Sequence, residues 1–344
     1  MRYIIIGAGA VGGTIGGRLA EAGHEVVLVA RGAHYAALRD GGLRLTTADG
    51  TSTHRLPVVD RADAVRLTPD DVLVLSVKTQ DSTAALEDWA ARPVDGGGTA
   101  SERLPLVCAQ NGVESERLAL RRFRRVYGMC VYLPATHLEP GAVSASGRPL
   151  TGVLHIGRFP GGTDETARRV SADLEKSNFL APVVADVMRW KYAKLTSNLA
   201  NAIEAATGVL ADEAGVALAR RVMAEGRVVL AAAGIEVAGE EEQKEVRTDK
   251  IRFDPFDGSK RRGGSSWQSL DRGTGTIESD YLNGEIALLG RLHGVPTPVN
   301  DTLQRVANSF ARERRPAGSM TVAELTALVD EAVAILQDPS EASP

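Results

Sequence analysis

The first half of the chain alternates short apolar runs with polar and glycine-rich segments, a pattern that predicts parallel β-α-β units. The expected strands cover residues 3–6, 25–30, 72–77, 106–109 and 126–132. The run at 72–77 is almost continuously apolar, as in a strand that is covered on both faces. Around 141–158 apolar and polar residues alternate between turn glycines, which predicts antiparallel strands that close the sheet.

Beyond about residue 181 the strand pattern stops and helical spacing replaces it. Helices are expected at 187–206 and 214–233, and a further helix should end at the glycine and proline of 293–296. Thr321 and Glu324 form a capping-box pair that should begin a last helix. The polar stretch at 239–264 is interpreted as a solvated loop or the charged end of a helix.

These two sequence patterns predict two domains. The first is an α/β domain with a mostly parallel, Rossmann-type sheet at 1–181, and the second is an all-helical domain at 182–338, followed by a frayed tail at 339–344. The 40 basic and 44 acidic residues give a net charge of −4, which argues against nucleic acid as a partner. Cys108 and Cys130 lie in apolar runs and are expected in the core, and the six histidines lack metal-ligand spacing, so no metal is expected. The absence of a signal peptide or a membrane-length apolar run favours a cytoplasmic protein.

A glycine-rich turn follows the first predicted strand directly. The run Gly7-Ala8-Gly9-Ala10-Val11-Gly12 matches the pattern GxGxxG, and a predicted helix begins within it. The first glycine permits the tight turn, the second lets the backbone approach a pyrophosphate, and the third allows close packing of helix on strand. Because strand, turn, helix and next strand occur at the right intervals, the sequence predicts a dinucleotide site rather than an accidental glycine-rich turn.

The residue after the second predicted strand indicates which dinucleotide the site binds. NAD sites usually carry Asp or Glu there, to accept from the ribose 2′-hydroxyl. This chain has Arg31, and a guanidinium can bind a 2′-phosphate through two hydrogen bonds. The sequence therefore predicts NADP(H), against the simpler interpretation of a surface arginine at the start of a loop.

Two more polar side chains follow predicted strands. Lys78 comes directly after the strand at 72–77, and Asn111 follows the strand at 106–109. Ligands of open α/β sheets bind at the carboxyl ends of the strands, so both residues are candidates for the nicotinamide end of the cofactor.

The predicted helix at 187–206 carries a polar stripe. Lys194, Asn198 and Asn201 stand at i, i+4 and i+7 and would share one face of a continuous helix. A solvated face is the simpler explanation, but asparagine lowers helix propensity relative to lysine or glutamate. The stripe is therefore a candidate surface for a polar ligand.

Taken together, these motifs resemble the ketopantoate reductase family (2-dehydropantoate 2-reductases), and the resemblance covers nearly the whole chain. It includes GAGAVG, the arginine after the second strand, VKT at Lys78, QNG at Asn111 and K-L-x-x-N at Lys194. It also includes the Ser265-Ser266 pair and the segment 276–284, with the interval of twelve between Ser266 and Glu278.

The resemblance implies reduction of an α-keto acid by hydride transfer from NADPH, in a cleft between a Rossmann domain and a helical domain. It implies Lys194 as the proton donor and Asn198 and Ser266 as substrate-binding residues, with Lys78, Asn111 and Glu278 near the cofactor and substrate. An ammonium group suits this role because negative charge develops on the carbonyl oxygen, and burial would lower its pKa. Glu278 could pair with Lys194 or accept from a substrate hydroxyl.

The chain also departs from the family pattern. The family's second asparagine would stand at position 202, which is Ala202 here, and its neighbour Asn201 points about 100° away on a regular helix. Either the local geometry differs or that contact is missing. The order T-E-I-D is altered in 276–280, and 239–264 is longer and more charged than a connector requires.

Three functions remain open at this point. The preferred one is NADPH-dependent reduction of a small anionic α-keto acid, with ketopantoate as the leading candidate. A paralogue that reduces another 2-oxo acid or an imine is the second, and an NADP(H)-binding sensor or scaffold without turnover is the third. The apolar helices of the second domain are compatible with a homodimer through that domain.

Overall fold

The computed structural model describes residues 1–137, 139–208, 212–248, 250–253, 263–273 and 275–337. They form two compact units. The first contains Met1–Lys191 and the described part of 238–253, and the second contains Tyr192–Val237 and the described residues from 263 onward. This division differs from the predicted boundary at 181, since 182–191 and the segment after 237 belong to the first unit. The predicted tail at 339–344 lies outside the described residues.

The first unit contains the strands of the structure. They are β1 (Arg2–Ile6), β2 (Glu25–Val29), β3 (Leu43–Thr47), β4 (Gly50–His54), β5 (Val58–Val59), β6 (Asp71–Leu75), β7 (Leu106–Cys108), β8 (Val126–Tyr132), β9 (Ala135–Thr136), β10 (Ala142–Ala145), β11 (Gly147–Pro149), β12 (Gly152–Arg158), β13 (Phe179–Leu180) and β14 (Ile251–Phe253).

The helices of the first unit connect these strands or follow them. They are α1 (Ala10–Glu21), α2 (Gly32–Gly41), α3 (Ser82–Ala90), α4 (Ala100–Arg103), α5 (Ser115–Leu120), α6 (Glu165–Lys176), the beginning of α7 (Val187–Asn198), and α10 (Glu240–Arg247). The helices of the second unit are the rest of α7, α8 (Asn201–Thr207), α9 (Glu213–Ala232), α11 (Ser265–Asp271), α12 (Asn283–His293), α13 (Pro298–Arg312) and α14 (Val322–Gln337).

An eight-stranded sheet in the order β13-β12-β8-β7-β6-β1-β2-β5 confirms the predicted parallel architecture. The strands from β8 to β5 pair in parallel, and β12 pairs antiparallel with β8. The strands of 141–158 do form antiparallel pairs, as predicted, but only β12 does so within the central sheet. In the same stretch, β10 joins a second sheet of order β4-β3-β10-β9, and β11 pairs with β14.

The central sheet is buried on both faces, which explains the continuous apolar character of its strands. Alternate residues of each strand point to opposite faces. Ile5, Leu28 and Val74 pack on the side of α1, α6 and the second sheet, whereas Ile4 and Leu73 pack on the side of α3 and α5.

Helix α1 lies between the two sheets, and its glycines make that position possible. A Cβ at Gly16 would stand 2.9 Å from Leu28 of the central sheet, and one at Gly17 would stand 2.8 Å from Leu45 of the second sheet. A Cβ at either place would force the neighbouring leucine side chain to shift. The chain has 36 glycines among its 344 residues, more than the usual share of about 7%. The close packing of α1 explains part of this excess.

The described part of the polar stretch at 239–264 is not a simple loop. This stretch contains the charged helix α10, which agrees with the interpretation as charged helix. It also contains strand β14, which the apolar pattern of the sequence did not predict. β14 pairs antiparallel with β11 from Gly147↔Phe253 to Pro149↔Ile251. The expectation that strands end near residue 181 is therefore wrong for this segment. Residues 249 and 254–262 of this stretch lie outside the described residues.

The second unit is helical throughout its described residues. Helices α9, α12 and α13 pack on one another, and α14 packs on α13. Buried side chains such as Leu199, Val222 and Phe310 form its interior. The predicted capping box is confirmed, because Thr321 and Glu324 exchange hydrogen bonds at the start of α14. No helix of the described residues is both long and apolar enough to cross a membrane.

The predicted helix at 187–206 is in fact two helices. α7 ends at Asn198 and α8 begins at Asn201, so the prediction of one continuous helix is wrong. The carbonyl group of Leu199 is released from the helix at this break and accepts a hydrogen bond from Asn283 Nδ2 over 3.0 Å. A buried side chain from another helix thus satisfies the polar group that the break exposes.

Candidate active site

The glycine-rich turn has the geometry that its sequence requires. Gly7 adopts φ +103°, and a Cβ there would lie 2.7 Å from the backbone nitrogen of Val77. A Cβ at Gly12 would collide with Gly7 O and Ser76 Oγ. At Gly9, by contrast, the nearest atom to such a Cβ is His137 Nδ1 at 4.0 Å. The first and third glycines are needed for packing, and the second leaves room in front of the N-terminus of α1, as a bound pyrophosphate requires.

The predicted cofactor residues follow four neighbouring strands in spatial order. Arg31 follows β2, the turn at 7–12 follows β1, Lys78 follows β6 and Asn111 follows β7. The four strands are parallel, so these residues share the carboxyl edge of the sheet. We call this row, from Arg31 through the glycine-rich turn and Lys78 to Asn111, the track. Since neighbouring strands lie about 4.8 Å apart, the track is about 15 Å long. The order corresponds to ribose phosphate, pyrophosphate and nicotinamide, and the residues present fit a dinucleotide.

The residues at the two ends of this track differ in exposure. Arg31 is exposed and precedes α2, and its guanidinium forms no hydrogen bond or ion pair with the described residues. Lys78 and Asn111 are half-buried, and Thr79 Oγ1 lies 3.5 Å from the carbonyl oxygen of Asn111. Arg31 is thus available to an external phosphate, while the other end of the track is partly shielded from water.

In the second unit, Lys194 and Asn198 are both half-buried on the last turns of α7. The Nδ2 atom of Asn198 is shielded from solvent and donates no hydrogen bond to the described residues. A buried donor without an acceptor is uncommon and costs free energy. It indicates a place where a polar ligand supplies the acceptor.

The break after α7 places Asn201 beside the start of α11. Glu204 on α8 accepts a hydrogen bond from the backbone nitrogen of Gly264 over 2.8 Å, and a Cβ at Gly264 would stand 3.6 Å from Asn201 Oδ1. Ser266, 4% exposed, is the second residue of α11. The structure therefore brings Asn201 and the segment of Ser266 together.

Glu278 lies in a short 3₁₀ turn before α12 and is 5% exposed. Burial lowers the pKa of Arg272, and the negative charge of Glu278 opposes that change. Arg272 is thus a cationic neighbour of Glu278 that the sequence reasoning did not consider. The same segment continues to Asn283, whose hydrogen bond to Leu199 attaches it to the break between α7 and α8.

Sequence reasoning also missed Lys191, which lies one helical turn before Lys194. Lys191 is 3% exposed and forms an ion pair with Glu116, which is 0% exposed. A signal was present, because Lys191 stands four residues before Leu195 and eight before Leu199, on the apolar side of the helix. Lys191 is thus held by a carboxylate, and Lys194 is the more accessible of the two ammonium groups.

Comparison with known families agrees with this architecture. The sequence profile described as ketopantoate reductase PanE/ApbA matches residues 3–161, and the profile of its C-terminal part matches residues 186–311. A 2-dehydropantoate 2-reductase of Mesorhizobium japonicum is 32% identical over 345 residues, covering 91% of this chain and 99% of the relative. The 2-dehydropantoate 2-reductase of Pyrococcus horikoshii is 25% identical and covers 93% of this chain and 100% of the relative.

Solved structures show the same fold. The PanE/ApbA family ketopantoate reductase of Ralstonia eutropha JMP134 has a TM-score of 0.74 at 26% identity and covers 92% of this chain and 100% of its own. A D-mandelate dehydrogenase, in a complex with NADH and anilino(oxo)acetate, has a TM-score of 0.77 at 21% identity, covering 91% and 99%. The chain therefore belongs to the ketopantoate reductase family, whose members are oxidoreductases that act on a CH–OH group.

Proposed function

We propose that this protein reduces a small 2-oxo acid with NADPH, and that the substrate is 2-dehydropantoate (ketopantoate), which becomes pantoate. The observation that carries the proposal is the track from Arg31 through the glycine-rich turn to Lys78 and Asn111 on adjacent parallel strands. The names of the relatives support the substrate class.

The cofactor would be held by backbone groups and by cationic side chains. Gly7, Gly9, Ala10, Val11 and Gly12 form the turn at the N-terminus of α1, where free N–H groups favour a pyrophosphate. Arg31 would bind the 2′-phosphate, and Lys78 and Asn111 would contact the nicotinamide half. When bound, the reduced nicotinamide supplies a hydride to a carbonyl carbon.

Lys194 would supply the proton. As the carbonyl carbon is reduced, its oxygen gains negative charge, and an ammonium group both stabilises that charge and donates the proton. The half-buried position of Lys194 strengthens this electrostatic effect relative to water. Asn198, Asn201 and Ser266 would orient the substrate, and Glu278 would accept from a substrate hydroxyl, since Arg272 already lies near its charge.

A second candidate substrate is another 2-oxo acid, and residue 202 is the observation that favours it. Ala202 is 4% exposed and has no polar group where the family pattern has asparagine. The break before α8 brings the amide of Asn201 to the start of α11 instead. A substrate pocket with an altered set of amides is suited to an altered set of hydroxyl and carboxylate groups.

A substrate panel tests the proposed function. Oxidation of NADPH would be followed with ketopantoate, 2-oxoisovalerate, pyruvate and benzoylformate, and we expect the highest kcat/KM with ketopantoate. Preference for another acid would support the second candidate. Binding of NADPH without turnover of any acid would instead indicate a sensor and would overturn the proposed reaction.

Substitution Lys194→Ala tests the proton donor. We expect kcat to fall by about 10²–10⁴-fold, the usual contribution of proton transfer by a positioned side chain, while KM for NADPH changes less than about three-fold. Lys176→Ala is the matched control, because Lys176 is exposed at the end of α6. A Lys194→Ala enzyme within a few-fold of the wild-type rate would exclude this role.

A further inference from the structure

A buried ion pair of the first unit has no part in the proposed reaction. Lys191 Nζ donates to Glu116 Oε1 and, over 3.1 Å, to the carbonyl oxygen of Gln110. Burial raises the pKa of Glu116, and the charge of Lys191 opposes that rise. The other carboxylate oxygen, Oε2 of Glu116, is buried and accepts no hydrogen bond from the described residues.

Such a pair is a poor source of stability. Removing two charges from water costs several kcal/mol per ion, and well-packed apolar residues of similar volume are often as stable or more stable. The carboxylate of Glu116 also leaves one of its oxygens without a donor among the described residues. A role in fixing geometry explains the pair better than a role in stabilising the core.

The pair fixes the residue that precedes Asn111. The backbone oxygen of Gln110 accepts from Lys191, and its side-chain Nε2 donates to Ser82 Oγ over 2.7 Å. Gln110 is 4% exposed and Ser82 is fully buried. Thr79 Oγ1 lies 3.5 Å from the carbonyl oxygen of Asn111. The turn at 110–111 is thus attached to α7 on one side and to the segment after β6 on the other.

We propose that the Glu116–Lys191 pair is a positioning device for the turn that carries Asn111, and that it sets how the protein holds the nicotinamide half of its dinucleotide. The carbonyl of Gln110 receives a charge-assisted hydrogen bond in a dry environment, which is stronger and more directional than a neutral one. Displacement of a reacting group by about 1 Å costs about 10²-fold in rate. The identity of the dinucleotide site rests on the proposed function.

Paired binding measurements test this role. Dissociation constants would be measured for NADPH and for 2′-phospho-ADP-ribose, which lacks nicotinamide, and in parallel for NADH and ADP-ribose. In Glu116→Gln we expect affinity for the dinucleotide to fall at least five-fold relative to its nicotinamide-free analogue. Where a 2-oxo acid is turned over, kcat should fall ten-fold or more.

The double variant Lys191→Met with Glu116→Leu separates positioning from stability. Because it removes both charges and keeps the volume, we expect its Tm to exceed that of Lys191→Met alone, which leaves the buried carboxylate of Glu116 without a counter-charge, while the nicotinamide-dependent loss persists. A double variant whose ratio of affinities lies within two-fold of the wild type would overturn the proposal.

A control ion pair lies at the opposite edge of the same sheet. Arg2 Nε and Asp71 Oδ1 are 2.7 Å apart where β1 and β6 begin, and Asp71 is 1% exposed. Asp71→Asn should lower Tm without changing the ratio of affinities. Lack of turnover by the wild type would remove the proposed function but leave this ratio as a test. Failure of the wild type to bind either dinucleotide would overturn both proposals.

Discussion

At the scale of single residues, identical side chains on one helix have different surroundings. Lys191 and Lys194 are three positions apart, yet Lys191 is buried against Glu116 and Lys194 is half-buried. The sequence pointed to Lys194 through its spacing from Asn198. It could not show that Lys191 has a carboxylate partner 75 positions away in the chain, because such a contact depends on how α5 and α7 are brought together.

Arg31→Ala tests cofactor discrimination by one side chain. Hydrogen bonds to a charged group contribute about 1.5–3 kcal/mol, so loss of a guanidinium–phosphate contact should raise KM for NADPH about ten-fold or more. KM for NADH should change little, since NADH has no 2′-phosphate. Steady-state kinetics with both cofactors measures the difference.

Arg39→Ala is the control for that substitution. Arg39 is exposed near the end of α2, the helix that Arg31 precedes, and pairs with Asp40. Its loss should leave both KM values unchanged. An unaltered KM for NADPH in Arg31→Ala would contradict the assignment of the 2′-phosphate to Arg31.

At the scale of elements, the sequence pattern predicted the central strands and several of the helices, among them α1, α9 and α14, but not the break between α7 and α8. At this break Asn283 is 1% exposed, and its Nδ2 donates to the carbonyl of Leu199 and, over 3.0 Å, to Asn300 Oδ1. Asn300 in turn donates to Glu225, which also accepts from backbone nitrogens at the start of α13. This network joins residues that are far apart in sequence, so local propensity could not reveal it.

Asn283→Ala should disturb the break and the asparagines on either side of it. The substitution leaves the buried carbonyl of Leu199 without its donor, and we expect a loss of about 1–3 kcal/mol in the free energy of unfolding. KM for the 2-oxo acid should rise several-fold, because Asn198 and Asn201 flank Leu199, while KM for NADPH stays within two-fold. Urea denaturation and steady-state kinetics measure the two effects.

Asn308→Ala provides the comparison for this network. Asn308 is also an amide in the second unit, but its bond of 2.6 Å to Asp280 lies at the surface. We expect little change in stability or kinetics. An Asn283→Ala protein with wild-type stability and wild-type KM values would show that the network does not maintain the break.

At the scale of the whole molecule, stability should depend on pH through a histidine next to the glycine-rich turn. His34 Nε2 lies 2.7 Å from Ala8 O, and the backbone nitrogen of Gly141 donates to Nδ1 over 2.9 Å. These contacts require the neutral ring with its proton on Nε2. Burial lowers the pKa of His34, against an opposing contribution of the bond to Ala8.

The unfolded chain binds a proton at His34 more readily than the folded protein does. The free energy of unfolding should therefore fall as the pH is lowered through about 6.5, the ordinary histidine value, until the folded ring is also protonated. His34→Gln keeps a donor for Ala8 and removes the titrating ring, so this part of the pH dependence should disappear. Urea denaturation of both proteins between pH 5 and pH 8 compares the slopes, and equal slopes would contradict the assignment.

The assignment of segments to the two units and to the sheets could be predicted only in part. The parallel sheet and the helical second unit follow from the patterns, whereas the division at 191, the return of 238–253 to the first unit and the second sheet do not. A strand as short as β14 has no periodicity of its own, and its partner β11 lies about a hundred residues earlier. The homodimer through the helical unit stays a prediction.

The sequence by itself determined the fold class, through its local periodicity, and the glycine-rich turn, whose backbone geometry only certain residues adopt. It also determined which polar residues, such as Arg31, follow the predicted strands, because that depends only on their positions in the chain. Tertiary structure decided which of two lysines is fully buried, where the long helix breaks and which segments meet at that break. Those outcomes depend on burial and on hydrogen bonds between distant parts of the chain, and the free energy of such contacts is set by the partners that folding provides.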